Sequence, residues 1–185
     1  MANDVHEPSP PRMSADAVRI ERVHDPSDDV VDGLATLLVD AVDSNAGISF
    51  MAGLTLEEAA AWWRKTLAAA TPRTIILIAR DSEGIAGTVQ LQPAWAPNQP
   101  HRADVAKLIV HRRARGHGIA RALMRELERH ARERQFTLLV LDTCKDSAAE
   151  RLYASLGWIR VGVIPDFALN PDGSRCDTVF FYRQL

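Results

Sequence analysis

The sequence predicts a mixed α/β fold, and three observations carry that reading. A strand–helix–strand unit runs from Asp104 to Thr143. Such a unit returns its second strand parallel to the first through a right-handed crossover. Apolar, β-branched TIILIAR (Thr74 to Arg80) precedes the turn residues Asp81-Ser82-Glu83-Gly84 and then IAGTVQLQ (Ile85 to Gln92), which together read as an antiparallel hairpin. A second hairpin is expected where Asn170-Pro171-Asp172-Gly173 separates the strand Trp158–Ile164 from the final DTVFFYRQL.

Each element has a local cause. VRIERV (Val18 to Val23) alternates apolar and charged residues, as a half-buried strand does. Asp25-Pro26-Ser27 starts a helix whose apolar residues Val30, Leu34, Leu37, Leu38 and Ala41 recur at helical spacing, and Asn45-Ala46-Gly47 ends it. Thr55 followed by Glu57 and Glu58 places a cap and negative charge at the positive end of a second helix, which stops near Thr71-Pro72. Pro93, Pro97 and Pro100 mark a loop around Trp95, and DVAKLIV (Asp104 to Val110) is a strand. From about Gly116 to Arg134 the stripe Ile119, Leu123, Met124, Leu127 and Ala131 predicts a strong amphipathic helix. Its remaining face is charged and includes Glu128 and Arg132 at i,i+4 spacing. FTLLVLDT is a buried strand, and SAAERLYASLG a short helix closed by Gly157.

At 185 residues the chain fits one domain, expected over residues 17–185 after a flexible, proline-containing tail at 1–16. A net charge of −2 supplies no basic field for nucleic acid. The first residues lack an apolar run, and no later segment has the roughly 18 uninterrupted apolar residues of a spanning helix, so no membrane role is expected and the reading is a soluble, cytoplasmic protein. Two cysteines, Cys144 and Cys176, make no disulfide framework and are expected to be reduced thiols. No His, Cys, Asp and Glu cluster has metal-ligand spacing, so no metal is expected.

The chemistry is concentrated between the strand ending at Val110 and the long helix. Arg113-x-x-Gly116-x-Gly118 lets the backbone approach a ligand, and unpaired amides at the start of the helix attract phosphate oxygens. Arg112, Arg113 and Arg115 add positive charge. Two rival phosphate loops fail. A dinucleotide fingerprint needs glycine where Arg121 stands, and no Gly-x-x-x-x-Gly-Lys-Ser/Thr run exists.

In context, VAKLIVHRRARGHGIARALMRELERHA resembles the acetyl-CoA-binding motif of the GCN5-related N-acetyltransferases. AAERLYASLGW, with Ala149, Leu152, Tyr153, Gly157 and Trp158, resembles their following helix and strand. Within that family, RADVAKLIV, LLVLDT and the C-terminal PDFALNPDGSRCDTVFFYRQL look most like the tabtoxin-resistance type. The resemblance implies a mostly antiparallel mixed sheet, helices on both faces, and a central parallel strand pair splayed around the CoA site. It also implies an N-acetyltransferase moving an acetyl group from acetyl-CoA, as co-substrate, to a primary amine of a small molecule such as a toxin or antibiotic. The alternatives are a protein lysine or N-terminal acetyltransferase and a non-catalytic CoA-binding module. The protein is expected to be a monomer or homodimer.

By the same resemblance, Leu108, Ile109 and Val110 offer backbone groups to the pantetheine arm. Arg113 and the run Arg115, Gly116, His117, Gly118, Ile119 and Ala120 hold the pyrophosphate. Asp146 stands where many relatives have Asn, and accepts but does not donate a hydrogen bond to pantetheine. An amine with a pKa near ~10.4 arrives protonated and needs a base. Asp104 and Asp142 are the candidates. Tyr153 is the expected general acid toward the leaving thiolate, and an amide of Leu108 or Ile109 the oxyanion donor. His111 is expected to be exposed. The acceptor site is expected among the loop Asn45–Leu54, Trp95 and the last hairpin.

Overall fold

The computed structural model describes residues 18–24 and 26–185. The expected tail and the helix-start signal at Asp25 lie outside the described residues. Among them, seven strands form one sheet in the order β1-β2-β3-β4-β5-β7-β6. The strands are β1 (Arg19–Arg22), β2 (Ile75–Asp81), β3 (Gly84–Pro93), β4 (Arg102–Val110), β5 (Leu138–Cys144), β6 (Ile159–Leu169) and β7 (Arg175–Gln184). The helices are α1 (Asp28–Asp43), α2 (Leu56–Ala68), α3 (Ile119–Glu133) and α4 (Ala148–Ser155). Every adjacent pair is antiparallel except β4 and β5, which are parallel. The mixed sheet expected from the strand–helix–strand unit and the two hairpins is the one found.

Strand alternation divides the apolar residues between two layers. Ile75, Leu77 and Ala79 of β2 point to the face covered by α3 and α4, with Leu123, Met124, Leu127 and Tyr153. Ile76 and Ile78 point to the other face, against Leu34, Leu37 and Leu38 of α1 and Trp63 of α2. Helix starts follow their cap residues. The Ser27 hydroxyl accepts from the Val30 amide, and Thr55 and Glu58 form a reciprocal capping box.

Two irregularities shape the centre of the sheet. Parallel pairing joins only Arg102–Asp104 to Leu138–Val140, and beyond that point β4 and β5 part. In β4, Ala106 faces Gln90 and Ile109 faces Thr88, so one extra residue bulges at Lys107 and Leu108. Lys107 takes φ +53° there. The bulge reverses the alternation. Ala103 and Val105 face the α3 layer, but Ile109 joins the α1–α2 layer.

Three expectations are corrected. Glu128 is not on the solvated face of α3. It is 6% exposed, with the Arg183 Nε at 3.2 Å, the Arg132 guanidinium at 3.9 Å and the Trp158 indole donating at 3.3 Å. The α4–β6 connection brings Trp158 over that side of the helix, so the carboxylate is covered and must be paired. His111 is half-buried rather than exposed; its Nδ1 accepts from the Arg113 amide and its Nε2 lies 3.7 Å from Asp40. Cys144 and Cys176 are bonded, not free. The β6–β7 hairpin carries Cys176 to the end of β5, where the Cα separation of 6.0 Å falls in the bonding range.

Candidate active site

The parting of β4 and β5 opens a cleft of about 710 Å³. One wall is β4 from Val105 to Val110. The other is Asp142–Cys144 of β5 with Ser147, Ala149, Leu152 and Tyr153 at α4. The α1–α2 loop, from Ser44 to Ser49, covers one end. At the other end lie Arg115, Gly116, Gly118, Ile119, Ala120 and Arg121.

That end is shaped for an anion. Gly116 and Gly118 hold left-handed backbone, at φ +82° and +80°, and a Cβ at either would project into open space. Gly118 begins α3 without any side-chain cap, so no side chain of its own covers the first amides of the helix. Arg115 and Arg121 line this end, Arg121 donating to Ser155 Oγ at 2.7 Å. The other two arginines of the motif are engaged elsewhere. Arg112 clasps the buried Asp40 of α1 through its backbone amide at 2.9 Å and its Nε. Arg113 forms a two-pronged pair with Asp81 at 2.6 and 3.0 Å, and that guanidinium holds the Asp81 carboxyl below its usual range. Both arginines fasten the turn before α3 to its surroundings. Arg113 and His117 lie outside the cleft lining, whereas Arg115, Gly116, Gly118, Ile119 and Ala120 are in it. Asp146 also lies outside the lining. It adopts φ +63°, and its amide donates to Glu150.

The middle of the cleft carries the titratable groups. Leu139 and Leu141 face the α3 layer, so Asp142 faces the opposite side. Asp104, across from Val140, faces the same side. Their surroundings differ. Asp104 accepts from Arg102 at 2.6 Å and lies outside the cleft lining. Asp142 lines the cleft and is open to it, yet protein surrounds much of the carboxyl. Burial, opposed by the Lys107 charge and reinforced by that of Asp104, raises it above the ordinary carboxylate range. Tyr153 is 5% exposed, with its ring against Trp158 and Phe181 at 5.9 and 6.0 Å between centroids. Burial, and then the Asp142 charge, push its phenol well above the usual value, so the hydroxyl holds its proton.

Lys107 was not among the expected site residues. Its signal was visible as one charge inside the apolar run Val105–Val110. A smaller chamber of about 280 Å³ adjoins the cleft, sharing Gly47, Ser49 and Cys144 with it; Phe50, Met51, Ala168 and Leu169 complete the apolar lining. Its two walls are tied together. The Asn45 amide group donates to Asp172, the Asp172 amide donates to Asn45, and the Ala52 amide donates to the Pro171 carbonyl at 2.9 Å. Trp95 is 91% exposed and takes no part. Among the described residues, no helix is long and apolar enough to cross a membrane.

Comparisons with known proteins agree with this geometry. The chain is 36% identical over 87 residues to human N-acetyltransferase 8B, a match covering 46% of this chain and 38% of that protein. The matched part is thus well under half of the curated relative's length. Among solved structures, the ribosomal-protein-alanine N-acetyltransferase from Brucella melitensis superposes with a TM-score of 0.75 at 23% identity, covering 90% of this chain and 99% of that one. The yncA protein from Salmonella typhimurium, determined with its cofactor acetyl-CoA, superposes with a TM-score of 0.74 at 19% identity, covering 91% and 94%. The sequence profile described as "Acetyltransferase (GNAT) family" matches residues 33–158, which include the splayed strands, the glycine loop and the α4 tyrosine. The chain therefore belongs to the GNAT family of acetyltransferases.

Proposed function

We propose that the protein transfers the acetyl group of acetyl-CoA to a primary amine of a small molecule, a toxin or antibiotic of the kind the tabtoxin-resistance resemblance implies. The observation that carries the acceptor reading is the small apolar chamber that adjoins the cleft at Gly47, Ser49 and Cys144. Its loop and hairpin walls are bonded to each other through Asn45–Asp172 and Ala52–Pro171. Its volume of about 280 Å³ matches a compact amine better than a folded polypeptide surface.

In this reading the amides of Arg115 through Ala120 receive the pyrophosphate, and β4 backbone at Leu108, Ile109 and Val110 receives the pantetheine arm. Asp142 takes a proton from the acceptor ammonium, directly or through a water. The freed amine nitrogen bonds to the acetyl carbonyl carbon while the carbon–sulfur bond breaks. Lys107 and Leu108 have no partners in the β3 ladder, whereas Ile109 is paired with Thr88, so the bulge leaves the Leu108 amide to meet the developing oxyanion. Tyr153, which stays protonated, donates to the departing sulfur. Arg102 holds Asp104 out of direct proton transfer, and the Asp104 charge acts on Asp142 from nearby.

Gly116→Val should raise the acetyl-CoA Kd roughly tenfold to 100-fold by calorimetry. A β-branched residue cannot hold φ +82°, and each amide hydrogen bond to phosphate that moves out of reach costs about 1.5–3 kcal/mol. Calorimetry with acetyl-CoA followed by thiol release over an amine panel tests the function itself. Release with small amines is expected. Release only with peptides would replace the acceptor by a protein. Tight binding without release over a broad panel would leave a non-catalytic CoA-binding module.

A further inference from the structure

Lys107 stands in a backbone conformation that a long side chain seldom adopts. Unbroken alternation from Ala103 and Val105 would send its ammonium into the apolar layer under α3. The bulge instead turns it to the α1–α2 side. There Nζ donates to the Ile48 carbonyl at 2.8 Å and the Ser49 hydroxyl at 3.1 Å. It also lies 5.5 Å from the centroids of both Phe50 and Trp62. One cation thus meets three successive residues of the α1–α2 loop and one residue of α2. A cation held over two aromatic faces, with two oxygen acceptors, is a specific anchor rather than a solvated surface charge. The anchored residues are functional walls. Ile48 and Ser49 line the cleft, and Ser49 and Phe50 line the chamber.

We infer that Lys107 is a positioning residue that latches the α1–α2 loop to the β4 bulge, thereby setting the shape of the acceptor chamber. The latch rests on geometry alone. Its consequence for catalysis rests on the acetyl-transfer reading above.

The charges around Asp142 are few. β4 presents Lys107 and Asp104, α4 presents Tyr153, and β7 places Phe180 beside it. The adjoining loop from Ser44 to Ser49 carries no charged residue. Lys107 is the cation whose charge opposes the upward shift of this carboxylate. Burial lowers its own pKa and the Asp142 charge opposes that, so the two groups support each other's ionised forms.

Hydrogen exchange of the whole protein tests the latch without any acceptor. In Lys107→Met, amides of residues 45–54, including the Ala52 amide bonded to Pro171, should exchange about tenfold faster or more, and Lys107→Arg should restore much of the protection. Unchanged exchange in Lys107→Met would overturn the latch whatever amine the enzyme uses. With an acceptor in hand, Lys107→Met should raise its KM about tenfold with the acetyl-CoA Kd within about twofold. If Lys107→Met does not fold, Ser49→Ala removes one of the two bonds and keeps the charge. It should loosen the loop by exchange; a protected loop in that variant would overturn the latch. A loosened loop in a protein that acetylates nothing would refute the acetyl-transfer reading and leave the latch standing.

Discussion

Asp142→Asn is expected to lower kcat/KM for the true acceptor by about 10²- to 10⁴-fold, the usual contribution of a positioned general base, with the acetyl-CoA Kd unchanged. Asparagine keeps the shape of the side chain and cannot accept the ammonium proton. The wild-type pH profile carries a second mark of the same group. Burial raises the Asp142 pKa, so activity should fall as pH drops through a value above the ordinary aspartate range, when the carboxyl takes up a proton and ceases to be a base. Asp104→Asn should behave differently. The Asp104 charge pushes the Asp142 pKa up, so its removal should shift the acid limb downward and retain most of the plateau rate. A large plateau loss in Asp104→Asn with little in Asp142→Asn would exchange the two roles. Initial rates by thiol release across pH, with both single variants, decide the matter.

Glu128→Ala should destabilise the fold by about 3 kcal/mol in urea unfolding. That is the low end for breaking a buried ion pair, because the Arg183 side chain keeps a quarter of its surface exposed. The loss has several parts. Arg183 loses its carboxylate partner at 3.2 Å and the Trp158 indole loses its acceptor at 3.3 Å. Trp158 packs against Tyr153, so the damage should reach the site. Turnover should fall further than the acetyl-CoA affinity in the folded fraction. Glu128→Gln keeps an acceptor for the indole and should lose less. A variant as stable as the wild type would show that the network contributes nothing net.

The architecture was legible because its signals are local. The period of 3.6 along Ile119–Ala131, the β-branched run Ile75–Ile78 and the capping residues Ser27 and Thr55 act within a turn or a strand, and the elements formed where they pointed. The glycine loop was legible for a related reason: a strand, two glycines and an amphipathic helix in succession place uncapped amides at one point whatever surrounds them. The arginines were less readable. Arg112, Arg113 and Arg115 look alike in sequence, and their partners, Asp40, Asp81 and Val110, lie 72, 32 and 5 residues away. Glu128 and Arg132 show the same limit. The i,i+4 spacing implied a solvated pair, while Trp158 and Arg183, from β6 and β7, bury one member.

The sequence by itself determined the family, the sheet-and-helix order and the loop at the head of α3, because contacts along the chain specify these. Tertiary structure alone decided which carboxylate lines the cleft, that Cys144 and Cys176 meet, and that a bulge turns Lys107 from the α3 core toward the α1–α2 loop. Charge, burial and sulfur pairing depend on what the rest of the chain brings within a few ångströms, and strands distant in sequence supply those neighbours.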